Sequence, residues 1–297
     1  MELSAVAEWA AIEVLRDGGF GNLGFIWQRQ ERMLVFLESA RFLGGLLRHP
    51  NICAVLTTPE LAASLPQHLA AGTCEQPRLA FAMVHNELAR RGFYWEDFET
   101  TIDPAAHVHP TAWVAARNVR IGPGTVVEPH ATILERCLVG AQVVVGANCV
   151  LGGAGFQTAR SNRAMLEMAH GGGLTVEDRV RLLPGAVVAT GLFRENTTLA
   201  RDVRVGSQAF VSHGVCVGER TFIGHGAVVN GRVAVGSDAW IGPGAVVAQA
   251  LEIGDGAFIS LGAAVIRNVA AKTHVSGAFA VPHRRMLRML AELESDR

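Results

Sequence analysis

An aliphatic residue recurs at every sixth position through the second half of the chain. An earlier block, from Val108 to Leu151, has the same rhythm with one inserted residue before Ile121. An α-helix repeats every 3.6 residues and a strand every two, so neither explains this period. The repeat therefore predicts a solenoid of six-residue units. Its unbroken series is Leu199, Val205, Val211, Val217, Ile223, Val229, Val235, Ile241, Val247, Ile253, Ile259 and Val265.

Each six-residue unit predicts one short strand and one corner of a triangular coil. The aliphatic residue points into the prism, and the glycine that often follows it, as at Gly206 and Gly224, is expected to supply the corner's backbone angles. Three units close one coil, and coils stack at about 4.8 Å. We therefore predict a mainly β chain, with a left-handed parallel β-helix over residues 106–280.

The flanking segments lack this rhythm. Residues 1–105 predict a small α/β domain, with helices over 3–16 and 79–90 and a strand over 52–56. Residues 281–297 predict a C-terminal helix. A loop excursion over residues 152–173, with a short helical piece at 163–169, interrupts the prism. Such a long excursion from a solenoid usually serves a function or an interface.

Composition excludes several classes of partner. Only 18% of the residues are charged and the formal net charge is −1, so the molecule has no bulk attraction to nucleic acid or anionic membranes. The five cysteines contain no CxxC pair, which favours reduced thiols in a cytosolic protein. The N-terminus resembles no signal peptide, and no apolar run has transmembrane length. We expect a soluble, cytoplasmic protein with no nucleic-acid partner and no transmembrane segment.

The outer walls of the prism carry apolar residues. Val228, Val246 and Phe258 occupy side positions where a solvated wall would be polar. Three prisms packed side by side would cover them. We predict a homotrimer, with a monomeric solenoid as the alternative.

Several separated segments resemble the UDP-3-O-acylglucosamine N-acyltransferases of the lipid A pathway. Residues 34–42 with 49–60 are similar to that family's uridine-binding domain, and residues 210–218 to its catalytic segment. Residues 276–285 are similar to its entry into the terminal helix. The segments at 76–81 and 153–156 also match in place. The resemblance implies transfer of a 3-hydroxyacyl group from acyl carrier protein to the amine of a UDP-glucosamine derivative.

The resemblance also implies roles for individual residues. His213 would be the general base, and the nucleotide would be held at Phe36, Ser39 and Phe42, where the family has Phe, Asn and Tyr. Three departures stand out: Ser39 and Phe42, Gly206-Ser207 in place of an Asp-Asn pair, and Ala250 in place of a second histidine. The further substrate-binding candidates are Gly155, Phe156, His170 and Ser207.

The chemistry agrees with a histidine base. Acylating an amine with a thioester requires removal of a proton, which a neutral imidazole can accept near neutral pH. His213 lies two residues after the inward Val211, so we expect it at a corner facing a neighbouring prism. The backbone N–H of Gly226 or Gly231 could meet the oxyanion. His225 occupies the same place in its hexad but belongs to a different wall.

The tail suggests a possible partner surface. Arg284, Arg285 and Arg288 could form a basic landing surface for an acidic acyl carrier protein. Alternatively, they are solvated residues of a helix packed on its trimer mates. We expect no bound cofactor and no metal, with acyl carrier protein or coenzyme A bringing the acyl group as a co-substrate.

Three other functions remain open. An acetyl-CoA-dependent N-acetyltransferase acting on an amino sugar nucleotide for surface polysaccharide is favoured by Ala250 and the altered uridine motif. A metal site like that of the trimeric carbonic anhydrases would need three converging histidines, two of them close in sequence. A non-catalytic sugar-nucleotide-binding module would need no base at position 213.

Overall fold

A five-stranded sheet with short helices forms the N-terminal part of the protein. The computed structural model describes residues 1–161, 164–277, 284–285, 288 and 292. The strand order is β1-β5-β4-β3-β2, with β1 antiparallel to β5 and the other neighbours parallel. The elements are β1 (Glu13–Arg16), β2 (Asn22–Leu23), β3 (Met33–Leu37), β4 (Ile52–Thr57), β5 (Ala70–Thr73), α1 (Leu43–Leu47), α2 (Pro59–Ala62), α3 (Pro77–Arg90) and two 3-10 helices, Ser4–Ala10 and Ala40–Phe42.

The secondary structure predicted for residues 1–105 is partly confirmed. The helix expected over 79–90 and the strand expected over 52–56 are confirmed by α3 and β4. The helix expected over 3–16 was wrong. A 3-10 helix stops where Ala11 adopts a φ of 47°, and the chain then joins the sheet edge as β1. Backbone pairing with β5 therefore outweighs the helical apolar pattern.

Three parallel walls form the prism. They contain nine, eight and eight strands, and up to β31 every third coil strand in sequence lies in the same wall. The strands are β6 (Thr101–Ile102), β7 (His107–Val108), β8 (Trp113–Val114), β9 (Val119–Ile121), β10 (Val126–Val127), β11 (Thr132–Ile133), β12 (Cys137–Val139), β13 (Val144–Val145), β14 (Val150–Gly153), β17 (Gly173–Val176), β18 (Arg181–Leu182), β19 (Val187–Ala189), β20 (Asn196–Leu199), β21 (Arg204–Val205), β22 (Phe210–Val211), β23 (Cys216–Val217), β24 (Phe222–Ile223), β25 (Val228–Val229), β26 (Ala234–Val235), β27 (Trp240–Ile241), β28 (Val246–Val247), β29 (Glu252–Ile253), β30 (Phe258–Ile259), β31 (Ala264–Val265) and β32 (His274–Val275); the excursion carries β15 (Thr158–Arg160) and β16 (Met165–Glu167).

The register of the walls follows the sequence repeat. Val211 pairs with Val229, and Val229 with Val247, so equivalent aliphatic residues stack from coil to coil. All twelve aliphatic positions of the unbroken series are at most 6% exposed. The prediction of a left-handed parallel β-helix is confirmed.

The glycine that follows an inward aliphatic residue has a different structural role from the one expected. A Cβ at Gly206 would lie 2.4 Å from the backbone nitrogen of His225 in the next coil, so this glycine is required by close approach. The left-handed backbone occurs two residues later in the hexad, at Gln208 (φ 58°) and at Gly214 (φ 65°) in the following unit. The expectation that the glycine after the aliphatic residue supplies the corner angles was therefore wrong.

Two insertions interrupt the coils. The first lies between β14 and β17 and contains the antiparallel hairpin β15–β16. The helical piece expected at 163–169 was wrong, because Met165–Glu167 is a strand paired with Thr158–Arg160; residue 163 lies outside the described residues. The second insertion, residues 190–195 between β19 and β20, was not predicted. Its Phe193 is fully buried against Phe25 and Phe81 of the N-terminal part.

The β-helix begins slightly earlier in the chain than predicted. Strand β6, within the first 105 residues, already pairs with β9 as part of a prism wall. Most of the C-terminal helix predicted at 281–297 lies outside the described residues. Arg284, Arg285, Arg288 and Glu292 have helical backbone and exposed side chains. In the described ranges, no helix is long and apolar enough to cross a membrane.

Candidate active site

His213 lies at the corner that follows β22, outside the aliphatic core of the prism. The side chain is nearly buried, with 4% of the residue exposed. Its Nδ1 is 3.2 Å from the Ser212 hydroxyl oxygen. Two glycines allow backbone to approach the ring closely: a Cβ would lie 2.6 Å from Nδ1 if added at Gly155 and 2.5 Å from Nε2 if added at Gly231. The imidazole is thus held between the excursion and the next coil.

The excursion of the same chain covers one side of His213, which the sequence did not predict. Gly155 lies against its Nδ1 side. That a neighbouring prism also faces this corner stays a prediction. The excursion can reach the ring because it leaves the prism after β14, in the same wall as β22, and folds back over that wall.

A second histidine completes this cluster. His170 is 9% exposed, and its ring meets that of His213 edge to face with centroids 5.3 Å apart. The backbone N–H of Gly155 donates to Nε2 of His170 at 3.0 Å. In the neutral ring, Nδ1 of His170 therefore carries the proton. This bond fixes both the tautomer of His170 and the place of Gly155 beside His213.

Helix α3 anchors the segment that leads from β16 to His170. The Asn86 side chain donates to the Glu167 carbonyl and accepts from the Ala169 N–H, both at 2.8 Å. His85, fully buried in the same helix, has Nε2 2.6 Å from the Ala169 carbonyl and Nδ1 2.8 Å from the Tyr94 hydroxyl. The N-terminal part thus positions the excursion over the prism.

Burial keeps both histidines of this cluster neutral. Desolvation, with the charges of Arg232 and His170, lowers the pKa of His213 to about 3. Desolvation, with Arg136 and Arg232, lowers the pKa of His170 to about 4. Both rings are therefore neutral at neutral pH, and Nε2 of His170 already accepts from the Gly155 N–H.

An aromatic cavity of about 270 Å³ lies beside this cluster. It is walled by the N-terminal part, the excursion hairpin and one corner of the prism. Phe36 and Phe42, both predicted to bind the nucleotide, line it. The other lining residues are Phe25, Ile26, Trp27, Glu38, Arg41, Arg78, Phe81, Gln157, Thr158, Ala159, Met168, Arg232, Gln249 and Ala250.

Guanidinium groups lie over the two predicted aromatic residues. The Arg41 side chain is 4.4 Å from the centroid of Phe42, and that of Arg78 is 5.5 Å from the centroid of Phe36. Arg78 is oriented by Glu38, which accepts from its backbone N–H and from Nε, each at 3.1 Å. The cavity therefore combines flat aromatic surface with positive charge, a combination suited to a nucleotide.

Arg232 connects the cavity to the histidine cluster. Its backbone N–H donates to the His213 carbonyl at 2.9 Å. Its side chain lines the cavity, with the guanidinium carbon 4.4 Å from the centroid of Phe25. Gly231, which lies against Nε2 of His213, accepts at its carbonyl from the N–H of Ala250, another lining residue. Nε2 therefore faces the corner that borders the cavity.

Other predicted residues lie elsewhere. Ser39 is half-buried at the start of the 3-10 helix Ala40–Phe42 and does not line the cavity. Phe156 is 79% exposed at the surface of the excursion. Ser207 lies at the corner before β22, where its N–H donates to Nδ1 of His225, so it is not brought to His213. The N–H of Gly226 donates to the Ser207 carbonyl at 2.9 Å, which leaves Gly231 as the oxyanion candidate near the ring.

The cavity residues that sequence reasoning missed include four that are aromatic or cationic. Trp27 stacks on Phe25 with centroids 5.2 Å apart, and no motif marked it. Arg78 lies within the segment 76–81 that resembles the acyltransferase family, so this match could have pointed to it. Arg41 adjoins Phe42. Arg232 occupies a corner position at which other coils place residues as different as Gly214 and Arg220, so its burial could not be inferred from the hexad pattern.

Metal binding finds no support in the described part of the chain. No group of three His, Cys, Asp or Glu residues is arranged there to hold an ion. His225, which the metal alternative would need beside His213, lies at a different corner of the coil.

Comparisons with known proteins agree with this architecture. The model for the bacterial transferase hexapeptide (six repeats) matches residues 118–153. The matched segment contains strands β9 to β14 of the prism. The described walls extend the repeat well beyond the matched segment, from β6 to β32.

Two curated relatives of this chain bear the same name. A UDP-3-O-acylglucosamine N-acyltransferase of Pseudomonas fluorescens (strain Pf0-1) is 30% identical over 101 residues, which is 34% of this chain and 28% of the relative. The enzyme of the same name from Janthinobacterium sp. (strain Marseille) is 26% identical over 105 residues, 35% of this chain and 30% of the relative. The chain thus matches under a third of each relative's length. These matches confirm the family resemblance drawn from the sequence.

The solved structures that are similar to this chain have lower sequence identity. The Arabidopsis UDP-N-acetylglucosamine acyltransferase has a TM-score of 0.45 at 19% identity, covering 64% of this chain and 76% of that one. The Francisella novicida enzyme of the same name has a TM-score of 0.46 at 17% identity, covering 64% and 73%.

Proposed function

We propose that this protein is an N-acyltransferase that transfers an acyl group, a 3-hydroxyacyl chain, from acyl carrier protein to the amine of a UDP-glucosamine derivative in lipid A biosynthesis. The observation that carries the proposal is the adjacency of a neutral, buried imidazole, His213, to an aromatic and cationic cavity, joined through Arg232. The names of the curated relatives support the reaction class and the acceptor.

In this proposal His213 takes the proton at Nε2. With Nδ1–H donated to the Ser212 hydroxyl oxygen, Nε2 is free to accept from the amine. The amine nitrogen attacks the thioester carbonyl as its proton passes to Nε2, and the carbon–sulfur bond breaks. The thiolate then leaves and is protonated by the imidazolium. Atoms and charges balance without a covalent enzyme intermediate.

The cavity would hold the nucleotide part of the acceptor. Phe36 and Phe42 supply ring faces, and base–aromatic stacking contributes about 1–3 kcal/mol per base. In this arrangement the base rests in the N-terminal part, and the amino sugar extends past Arg232 toward His213. Arg284, Arg285 and Arg288, all exposed, would meet the acidic carrier protein.

A second candidate is an acetyl-CoA-dependent N-acetyltransferase acting on an amino sugar nucleotide for surface polysaccharide. Ala250 favours it. This residue lines the cavity where the family resemblance would place a second histidine, so one polar helper of the long-chain reaction is replaced by a methyl group. The acyl donor distinguishes the two candidates.

The proposal includes a homotrimer in the cytoplasm. Its support is the exposed apolar surface of two walls: Phe222 and Phe258 on one wall are 46% and 41% exposed, and Val246 on another is 44% exposed. Along one wall the rings of Phe222, Trp240 and Phe258 follow one another with centroids 5.4 and 5.8 Å apart. Sedimentation equilibrium should yield three times the mass of the chain, and a monomer would contradict this part of the proposal.

A donor and acceptor panel tests the function. The purified protein is incubated with UDP-amino sugars and either 3-hydroxyacyl carrier proteins or acetyl-CoA, and the products are weighed by mass spectrometry. We expect an N-acylated nucleotide sugar with a 3-hydroxyacyl mass increment. An acetyl increment alone would establish the second candidate, and no transfer with any pair would contradict both.

A further inference from the structure

Arg232 is a nearly buried cation at the junction of the cavity and the histidine cluster. Its side chain is 11% exposed, and its backbone has a φ of 60° at a prism corner. A non-glycine residue in this region is uncommon. The aliphatic part of the side chain lies against Gly214, where an added Cβ would be 3.2 Å from Cγ of Arg232. The corner thereby directs the guanidinium away from the prism and into the cavity.

The guanidinium lacks the hydrogen bonds that its burial requires. Among the described residues, neither Nε nor Nη2 of Arg232 has a partner. The nearest carboxylate oxygen, Oε1 of Glu195, is 3.9 Å from Nε, beyond the 2.7–2.9 Å of a charge-assisted hydrogen bond, and is itself unpartnered. The other oxygen of Glu195 accepts from Gln28 at 3.0 Å and from Gln30. Glu195 is therefore held back from Arg232 by its own partners.

Free N–H groups on a buried guanidinium are suited to an anion. A guanidinium presents its donors in a planar fork that matches two oxygens of a phosphate. A desolvated charge costs several kcal/mol unless such bonds are made, so a ligand that makes them gains affinity. The unpartnered nitrogens thus point to an oxyanion bound inside the cavity.

The position of Arg232 indicates which anion would bind there. In a nucleoside diphosphate sugar, the phosphates lie between the base and the sugar. Arg232 lies between the aromatic side of the cavity, at Phe36, and the imidazole of His213, to which its own backbone is bonded. The order aromatic ring, guanidinium, imidazole therefore matches the order base, diphosphate, amino sugar.

We propose that Arg232 binds the diphosphate of the nucleotide sugar and so places the amino sugar at His213. The inference rests on the proposed function for the identity of the base and sugar. Nε and Nη2 of Arg232 donate to phosphate oxygens, and the ligand's negative charge offsets the guanidinium beside the histidine ring.

The charge of Arg232 also affects the pKa of His213, which a purely steric role of the side chain would not. The charge of Arg232 contributes to the lowering of the pKa of His213. A diphosphate bound at Arg232 opposes that contribution and raises the pKa of His213 toward its ordinary value, making the ring a stronger base in the complex. Substrate binding thus increases the basicity of the group that receives the substrate's proton.

The test compares affinities for uridine, UDP and inorganic pyrophosphate by calorimetry. Arg232→Met keeps most of the side-chain volume and removes the charge. Arg220→Met is the matched control, since Arg220 occupies an equivalent corner with a φ of 58° but is ion-paired to Asp238 at 2.7 Å on the surface. We expect the unaltered protein and Arg220→Met to bind UDP at least about tenfold more tightly than uridine. In Arg232→Met this difference disappears while uridine affinity stays unchanged.

The outcomes separate this inference from the proposed function. An equal UDP-to-uridine ratio in Arg232→Met and the unaltered protein overturns the role of Arg232 and leaves the function standing. Pyrophosphate binding that depends on Arg232, without uridine binding, contradicts the nucleotide substrate and supports the anion site. Absence of binding to all three probes overturns both. Should Arg232→Met fail to fold, the more conservative Arg232→Lys replaces it, with an expected partial loss of the ratio.

Discussion

The imidazole rings of His170 and His213 meet edge to face, with their centroids 5.3 Å apart. A charge on either ring would disfavour a charge on the other, and both are desolvated beneath the excursion. The pKa values of about 4 and about 3 that result leave both rings neutral at physiological pH. We expect their ring proton shifts, followed by NMR, to stay constant between about pH 5 and pH 8. Assignment uses His170→Asn and His213→Asn; a midpoint near 6.5 for either ring would contradict its burial.

Stability should fall as the solution is acidified. His85, His170 and His213 have folded-state pKa values of about 4, 4 and 3, below the ordinary 6.5, so the unfolded chain binds more protons under acid conditions. Their stabilising contribution is present above pH 6.5 and is lost as the pH falls toward the folded values, by roughly 2 kcal/mol per histidine at pH 5. Thermal unfolding between pH 7 and pH 5 measures this. In His213→Asn the loss of unfolding free energy between pH 7 and pH 5 should be smaller by about the contribution of one histidine. An unchanged pH dependence of stability would count against the burial of this ring.

Gly155 should tolerate no side chain. A Cβ there would lie 2.6 Å from Nδ1 of His213 and 3.1 Å from Nε2 of His170, so Gly155→Ala must displace the excursion or a ring. We expect a loss of turnover with a stability cost of about 1–3 kcal/mol. Gly153→Ala is the control, because its nearest contact would be an ordinary 3.7 Å to Val150. Equal kcat in the two variants would show that the excursion does not shape the site.

Phe42 should contribute to nucleotide binding. The ring lines the cavity, and its removal in Phe42→Ala should weaken uridine or UDP binding by about 1–3 kcal/mol, the range for a base stacked on an aromatic side chain. Calorimetry measures the change. Trp113→Ala, which removes a 53% exposed ring on β8 outside the cavity, should bind as the unaltered protein does. Similar losses in both variants would argue against a specific stack.

The prism could be predicted almost entirely from the sequence, because its core is encoded locally. One inward aliphatic residue per strand, as at Val211 and Val229, specifies both the burial and the coil register. The left-handed corner could be placed less well. The hexad position that adopts the left-handed conformation has no constant residue type. Arg220 and Arg232 adopt the same backbone conformation as Gly214 although they are not glycines.

The candidate site was only partly predictable, because its assembly depends on long-range contacts. Phe36 and Phe42 could be found from the family resemblance, and His213 from the hexad and the resemblance together. The burial of His213 depends on Gly155 and the fold of the excursion, which carries no periodic pattern. The docking of the N-terminal part through Phe193, in an insertion between β19 and β20, also lacks a local signal. Arg232 occupies the same hexad position as the surface residue Arg220, and packing distinguishes the two.

The central claim is that His213 removes the amine proton during acyl transfer. Single-turnover rates with the competent donor and UDP-amino sugar, for the unaltered protein, His213→Asn and His225→Asn, test it most directly. We expect His213→Asn to lose about 10²–10⁴-fold in rate with little change in acceptor affinity, the range for removal of a general base. His225→Asn, altered at a different corner, should react at the unaltered rate. A His213→Asn protein that transfers the acyl group as fast as the unaltered protein would contradict the account.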